Sequence, residues 1–445
     1  MKNSRTIAVG FMLFAMFFGA GNLIYPASLG MGAGENYLPA IIGFILTGVG
    51  LPITAVIALS LSKNGATEIA GRVHPAFAIA FVSLIYLAIG PFFGIPRAAN
   101  VAYEMGTAPL TGGLSSPILF VFSLIFFTIV FLISRNPSKL VDIIGRWLTP
   151  LLFLSIAALA AGALFLPSSG TVAPGEKYGS TPFFSGFVEG YLTMDAIAGL
   201  AFGIIVIASI QQQGVTDQKQ LTRQTIKAGA VTAIGLSLVY AAIGWVGVKM
   251  APSGDFASGS LLLSSAAETM FGSTGTIILG LLVTLACFTT CVGLTVTCGQ
   301  YFSKRIPKLT YLQVITVVTI LSLGITNLGL NQIIKYSVPV LTFLYPITIV
   351  LVILAFIGKY FRHSRYVYRG AVAFTAIISL YEGLQVLEIS IEPLTAFVEM
   401  LPFVTIGLAW VLPAFAGGVL GAIIHVLMPS SSKRRREKYA LSRSK

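Results

Sequence analysis

The chain has 445 residues, 56% of them hydrophobic and only 10% charged, with a mean hydropathy of +0.90 and a formal net charge of +13. Soluble domains carry roughly 25% charged residues, so this composition excludes a soluble enzyme or binding module and predicts a polytopic membrane protein. The cysteines, Cys287, Cys291 and Cys298, share one apolar segment and one helical face. That argues against a structural disulfide between them. They read as small packing residues, because a metal site would need a second ligand segment.

No charged residue occurs between Arg5 and Glu35, and a helix needs only about 20 residues to cross the hydrocarbon. This run is too long for a leader, and no short apolar core ends in a small-residue cleavage site, so no cleavable signal peptide is expected. Its centre reads Phe17-Phe18-Gly19-Ala20-Gly21-Asn22-Leu23-Ile24-Tyr25-Pro26. Glycine and proline weaken a helix there, and backbone groups freed in lipid must find other partners. Such a break fits a ligand and ion site. The alternative is a glycine-rich packing face in a bundle.

Further along, the hydropathy pattern predicts twelve spans at about 6–31, 37–61, 76–104, 117–134, 140–166, 184–211, 222–250, 274–302, 310–328, 333–357, 366–387 and 402–428. Ser260 to Phe271 reads as a short helix outside the main array, a lid or a surface helix. Of the 28 basic residues, all but Arg97, Lys177, Lys249 and Lys335 then fall on the side of the termini, and Glu35, Glu176, Asp255, Glu268, Glu388, Glu392 and Glu399 on the other. The positive-inside rule puts both termini in the cytoplasm. The net charge is thereby an orientation signal rather than a mark of nucleic-acid binding. The tail Lys433-Arg434-Arg435-Arg436 is either a contact for anionic lipid or a solvated tail.

A single transmembrane domain over 1–445 is expected, with repeat one at about 6–166, repeat two at about 184–357, two further helices within about 366–428 and a basic cytoplasmic tail at 429–445. Span one starts inside and breaks at Gly19–Asn22. Span six starts outside and carries Tyr191-Leu192-Thr193-Met194-Asp195-Ala196-Ile197-Ala198-Gly199 at its middle. Paired interruptions in two inverted halves point to a transporter site.

Asp195 is the acidic residue nearest the middle of a span, and intramembrane charges default to function. Arg97, after Pro91 and Pro96 in span three, lies at a similar depth. The two are expected to pair or to share a network, either in transport or as a strut between spans three and six. Glu104 and Glu189 lie nearer the outer boundary and read as interfacial. In span eight, Thr289, Thr290 and the Ala286 carbonyl lie one turn apart. Hydroxyls there often just bond back to their own helix, but several oxygens together also suit a hard monovalent cation. His74, His363 and His425 have no nucleophile or carboxylate beside them, and no Walker loop is present, so neither catalysis nor ATP-driven pumping is expected.

The stretch Phe17 to Pro26, the stretch Ile89-Gly90-Pro91-Phe92-Phe93-Gly94-Ile95-Pro96-Arg97 and Thr193-Met194-Asp195-Ala196 resemble the branched-chain amino acid:cation symporter family (BrnQ). More distantly the chain is similar to transporters of the LeuT-type fold. The resemblance implies an all-α membrane protein with two inverted five-helix repeats and helices 1 and 6 broken at the substrate. It implies uptake of leucine, isoleucine and valine across the bacterial inner membrane, driven by sodium or protons. Carried over residue by residue, it implies a sodium site at the carbonyls of Ala15, Phe18 and Ala286 and the hydroxyls of Thr289 and Thr290. Substrate would meet Gly19, Ala20, Gly21 and Asn22 and, on span six, Thr193, Asp195 or Gly199, with Phe17, Phe18, Phe92 and Phe93 as candidates for the apolar end. Span six does not align clearly with the fold's glycine-rich break. No cofactor other than the coupling ion, no nucleic acid and no obligate protein partner is expected; membrane lipid is. The rival readings are a proton-coupled transporter of another small solute, and a channel or sensor. A membrane enzyme lacks a catalytic constellation.

Overall fold

The computed structural model describes residues 3–62, 65–136, 140–165, 172–215, 217–389 and 391–427, and among these every regular element is helical. The basic tail lies outside them. In chain order the helices are α1 Asn3–Phe17, α2 Ala20–Ala33, α3 Tyr37–Ile45, α4 Leu51–Ser60, α5 Gly65–Gly71, α6 Pro75–Leu87, α7 Gly94–Ala102, α8 Ser116–Arg135, α9 Leu140–Leu164 and α10 Glu176–Gly179. They continue with α11 Pro182–Glu189, α12 Asp195–Gln212, α13 Gln218–Met250, α14 Gly259–Arg305, α15 Tyr311–Thr326, α16 Leu330–Ile357, α17 Arg365–Val386, α18 Glu392–Glu399 and α19 Val411–Leu427. Wide π turns at Leu46–Gly50 and Ala88–Phe92 join α3 to α4 and lead α6 toward α7.

Among the described residues seven helical segments are long and apolar enough to cross a membrane, and four shorter apolar helices accompany them. The first of the seven, Ala20–Ser60, holds 41 residues. At 1.5 Å per residue that is enough for two crossings, and α2 indeed turns back through the short Gly34–Asn36 turn so that α3 packs against it. The chain is a multi-pass membrane protein.

One boundary differs from expectation. The last helix starts at Val411 rather than near 402: Phe403 and Gly407 both take left-handed backbone angles (φ 73° and 69°), which no continuous helix admits. The expected short helix 260–271 is present as the first part of α14, and Gly272 at φ 63°, ψ −165° breaks the helix there and sets it off from the apolar segment that follows.

Helices meet at backbone distance where glycines face each other. A Cβ on Gly30 would strike the Gly244 carbonyl, tying α2 to α13, and a Cβ on Gly186 would strike the Ala40 carbonyl, tying α11 to α3. Small residues at such crossings let membrane helices gain dispersion contacts where there is no hydrophobic drive. Thus α2 and α11, each one part of an interrupted apolar run, are locked to their neighbours.

Glu104 and Glu189, read from the sequence as interfacial, are both buried within the protein. A buried carboxylate needs donors. Glu104 accepts hydrogen bonds from Ser258 (2.9 Å) and from Ser260. Ser258 also caps α14 by accepting the Leu261 N–H. Glu189 accepts from Lys177 (3.0 Å) and from the Tyr178 hydroxyl, which fastens α10 over the end of α11. The partners of Glu104 lie 154 and 156 positions along the chain, whereas those of Glu189 are only 12 and 11 away, on the neighbouring short helix α10.

Gly186→Ala is expected to destabilise the purified protein by about 1–3 kcal/mol, the usual cost of overpacking. Gly293→Ala, with nothing within 4 Å of the new methyl, is expected to be neutral or slightly stabilising. Melting temperatures in detergent test both, and an unchanged Gly186→Ala variant would show that the α3–α11 contact yields.

Candidate functional site

The first apolar run is interrupted between Phe17 and Ala20. The Phe18 N–H still bonds to Phe14 (2.8 Å), but the next one does not continue the ladder. Gly19 N–H donates instead to Asn22 Oδ1 (3.1 Å), and Asn22 N–H donates to Gly19 O (3.2 Å). In an unbroken helix these two donors would serve Ala15 and Phe18, so both of those carbonyls are released. The Asn22 side chain therefore replaces a missing ladder bond, which explains a polar residue in mid-run.

Asn22 also reaches out. Its Nδ2 donates to Asp195 Oδ2 (2.7 Å) and to the Tyr240 hydroxyl, and Tyr240 donates to the same Asp195 oxygen (2.9 Å). Asn22, Asp195 and Tyr240 are all buried. Three segments, α2, α12 and α13, are thereby joined at one carboxylate oxygen.

The second interruption lies between α11 and α12. A tight turn, Gly190–Thr193, leads to Met194 at φ 66°, ψ 4°, an uncommon left-handed conformation for a side-chain-bearing residue. The first N–H groups of α12 are taken internally: Asp195 N–H donates to Thr193 Oγ1 (3.3 Å), and Ala196 N–H to the Tyr345 hydroxyl (3.3 Å). The carbonyls of Leu192 and Thr193 are taken by Arg97, through Nη1 (2.6 Å) and Nη2 (3.2 Å). Arg97 Nη1 also donates to the Tyr25 hydroxyl (3.1 Å). Arg97 and Asp195 thus share a network through Thr193, and no ion pair within 4 Å joins them.

Arg97 gets there because its own span is interrupted. Gly90 has non-helical angles (φ −88°, ψ −118°) and Pro91 follows. Near this third break the cysteines act as more than filler. Cys298 Sγ donates to Tyr86 O (3.4 Å) and Cys291 Sγ to Ile95 O (3.6 Å), while all three thiols are free and buried.

On α14, Thr289 Oγ1 and Thr290 Oγ1 both donate to Ala286 O, at 2.9 and 3.0 Å. The back-bonding reading of these hydroxyls therefore holds, and it also gathers three oxygens within hydrogen-bond range. A Cβ on Gly19 would lie 3.6 Å from Thr290 Cγ2, so the first break sits against this turn. Gly199 is one turn further along α12, close-packed on α4 near Pro52 and Ala55. Phe17 and Phe18 are buried; Phe92 and Phe93 are half-buried. A cavity of about 510 Å³ lined by Ala158, Gly162, Phe165, Met270 and Phe271 lies between α9 and α14, away from the breaks. Among the described residues no group of three or more His, Cys, Asp or Glu could hold a metal ion. The donor set at the break is all oxygen, the kind a hard cation takes.

Tyr240, Tyr345 and Tyr25 were not anticipated from the sequence. Tyrosines in apolar runs are common, and only the fold brings Tyr240 to Asn22 across 218 positions.

Comparison with known proteins places this geometry. Residues 2–428 match the family model described as branched-chain amino acid transport protein. The chain is 43% identical to the branched-chain amino acid permease BraB of Bacillus subtilis over 431 residues, covering 96% of this chain and 97% of that one. It is also 43% identical to the branched-chain amino acid permease BrnQ of the same organism over 433 residues, covering 96% and 98%. The chain therefore belongs to the branched-chain amino acid transport protein family. Among solved structures it resembles Mhp1, a nucleobase-cation-symport-1 family transporter, in a closed conformation with bromovinylhydantoin bound (TM-score 0.63, 15% identity, 98% of this chain and 96% of that one). It also resembles MhsT in complex with L-phenylalanine (TM-score 0.57, 16% identity, 94% and 98%). At these identities the likeness establishes the fold, that of LeuT-type transporters.

Tyr240→Phe keeps the ring edge on Phe44 (centroids 5.3 Å apart) but removes one of the donors to Asp195. A lost hydrogen bond to a buried carboxylate is expected to cost about 1–3 kcal/mol of stability and to lower leucine uptake about tenfold. Melting temperature and radiolabelled uptake in the same preparation check this. Uptake at the parental level would remove the hydroxyl from the site.

Proposed function

We propose that this member of the branched-chain amino acid transport protein family imports leucine, isoleucine and valine by secondary active symport, driven by a sodium gradient. The observation that carries this reading is the convergence of two interrupted helices on the Asn22–Asp195 bond, beside the oxygens of Ala286, Thr289 and Thr290. In the proposed topology twelve helices cross the plasma membrane of a bacterium, both termini are cytoplasmic and two five-helix units are inverted relative to each other. The charge distribution supports that orientation, and the opposed interruptions support the repeat.

The coupling ion is cargo here, not a resident cofactor. Sodium would sit between the Ala15 and Phe18 carbonyls of span one and the Ala286, Thr289 and Thr290 oxygens of span eight. The release of those two span-one carbonyls from the ladder supports this assignment. The substrate ammonium would meet Asp195 and its carboxylate the first turn of α2, whose N-terminal N–H groups carry partial positive charge. Thr193 and Gly199 would shape the span-six side of the site. Filling it favours a closed state, and rocking of one helix group against the other alternates access. A hydrophobic pocket separates substrates by only about 1–3 kcal/mol per methylene, so leucine, isoleucine and valine are expected to overlap.

Proton coupling is the second reading, and Asp195 favours it as a buried carboxyl at the centre of the site. Uptake into proteoliposomes decides between them. Leucine, isoleucine and valine, but not alanine, are expected to accumulate with an inward sodium gradient at fixed pH. Thr289→Ala with Thr290→Ala is expected to raise the half-saturating sodium concentration about tenfold or more, in line with the loss of two ligand oxygens. Accumulation that ignores sodium but follows an imposed pH gradient would transfer the coupling to protons. No uptake of any of them would overturn the reading.

A further inference from the structure

Arg97 presents an edge that its protein partners do not use. It is buried, and a guanidinium has five N–H donors in a rigid plane. Nη1 spends both of its donors, on Leu192 O and the Tyr25 hydroxyl, and Nη2 spends one, on Thr193 O. The Nε donor is buried and has no hydrogen-bond partner. The unspent donors are therefore Nε–H and one Nη2–H. Nε and Nη2 share an edge of the plane, and a carboxylate spans such an edge with two parallel bonds.

The surroundings of that edge matter as much. The guanidinium lies against the first turn of α2: a Cβ on Gly21 would come within 2.9 Å of Nη2 and 3.3 Å of Cζ. Only glycine lets helix and guanidinium approach so closely. The first N–H groups of a helix have no intrahelical acceptor and attract anions, and α2 is 14 residues long. A buried N–H without an acceptor is costly in water-free surroundings. An orphaned donor beside a helix N-terminus is thus a receptor for an oxyanion.

We infer that Arg97 reads the carboxylate of the transported amino acid, through Nε and Nη2, together with the first turn of α2. It does so in addition to bracing the span-six turn. This rests on the reading of the chain as an amino-acid transporter and deepens it. The carboxylate is recognised by a side chain as well as by backbone, so carboxyl-modified analogues should be rejected by Arg97 in particular.

The test titrates purified protein with leucine and with leucinamide, in which an amide replaces the carboxylate, and reads ligand-induced thermal stabilisation. The parental protein is expected to bind leucine at least about tenfold better than leucinamide. In Arg97→Gln the affinity for leucine should fall roughly 10- to 100-fold, as for a lost charge-assisted bidentate contact, while that for leucinamide stays the same. Gly21→Ala, which pushes the guanidinium aside, should shift the preference in the same direction and decides the matter if Arg97→Gln does not fold. If both ligands weaken equally in the variants, or the preference for leucine survives, Arg97 is only a strut and the inference is wrong. If the parental protein binds neither ligand, the transporter reading itself fails.

Discussion

The structure depends on one constraint: in hydrocarbon, every backbone polar group must be satisfied from within the protein. Among the described residues, the interruptions that frame the candidate site lie around Phe18–Gly19, around Gly90–Pro91 and at Gly190–Met194. Each interruption releases groups that water would cover elsewhere. Here they are covered by side chains, one from the break itself and the others from distant spans. Asn22 bonds Gly19, Arg97 bonds Leu192 and Thr193, Tyr345 bonds Ala196, and Cys298 bonds Tyr86. The polar residues of the interior are thus first of all repairs to the backbone, and the site is made of what those repairs leave over.

That double duty explains how rigidly the site is held. Arg97 can brace the span-six turn only because Gly21 lets the guanidinium lie on α2. Asp195 can sit in the interior only because Asn22 and Tyr240 both donate to it. Helices α2 and α11 are fixed in turn by glycine-on-carbonyl contacts with α13 and α3, and two buried glutamates bond to α10 and to the start of α14. By contrast α1, on the N-terminal side of the first break, keeps partly exposed residues at Met12, Ala15 and Met16, while α2 is buried along nearly its whole length. The two halves of this apolar run are therefore packed differently.

Much of this was legible in the sequence because the breaks are chemical statements. Gly19-Ala20-Gly21-Asn22 marks the first interruption, which falls at its leading end with Ala20 already helical, and Asp195 cannot sit in lipid without a reason. What was not legible depends on pairing across the chain. Tyr240 looks like any tyrosine in an apolar run until the fold brings it to Asp195. Glu104 and Glu189 lie where an interfacial residue would, and only the serines at the start of α14 and Tyr178 bury them. The late start of α19 escaped for a different reason. The stretch 402–410 is as apolar as a span, and hydropathy does not register the left-handed turns at Phe403 and Gly407 that keep it from being one.

The arrangement of the two interior charges is the part with the clearest chemical meaning. Arg97 and Asp195 lie on either side of Thr193 and could have formed an ion pair, which low dielectric would favour. They do not. The Thr193 carbonyl takes the guanidinium and its hydroxyl takes the Asp195 backbone N–H, while Asn22 and Tyr240 hold the carboxyl group. In the proposed reading a direct pair would leave the site electrically closed, whereas separated groups leave it bipolar. An amino acid carries one charge of each sign on a single carbon, and in the proposed reading it completes both. A simple amine or a simple carboxylate completes only one and leaves the other buried charge without its partner, a far larger penalty than any misfit of an aliphatic side chain. In that reading the polar end of the site selects amino acids as a class, and the apolar end is left with the weaker task of choosing among them.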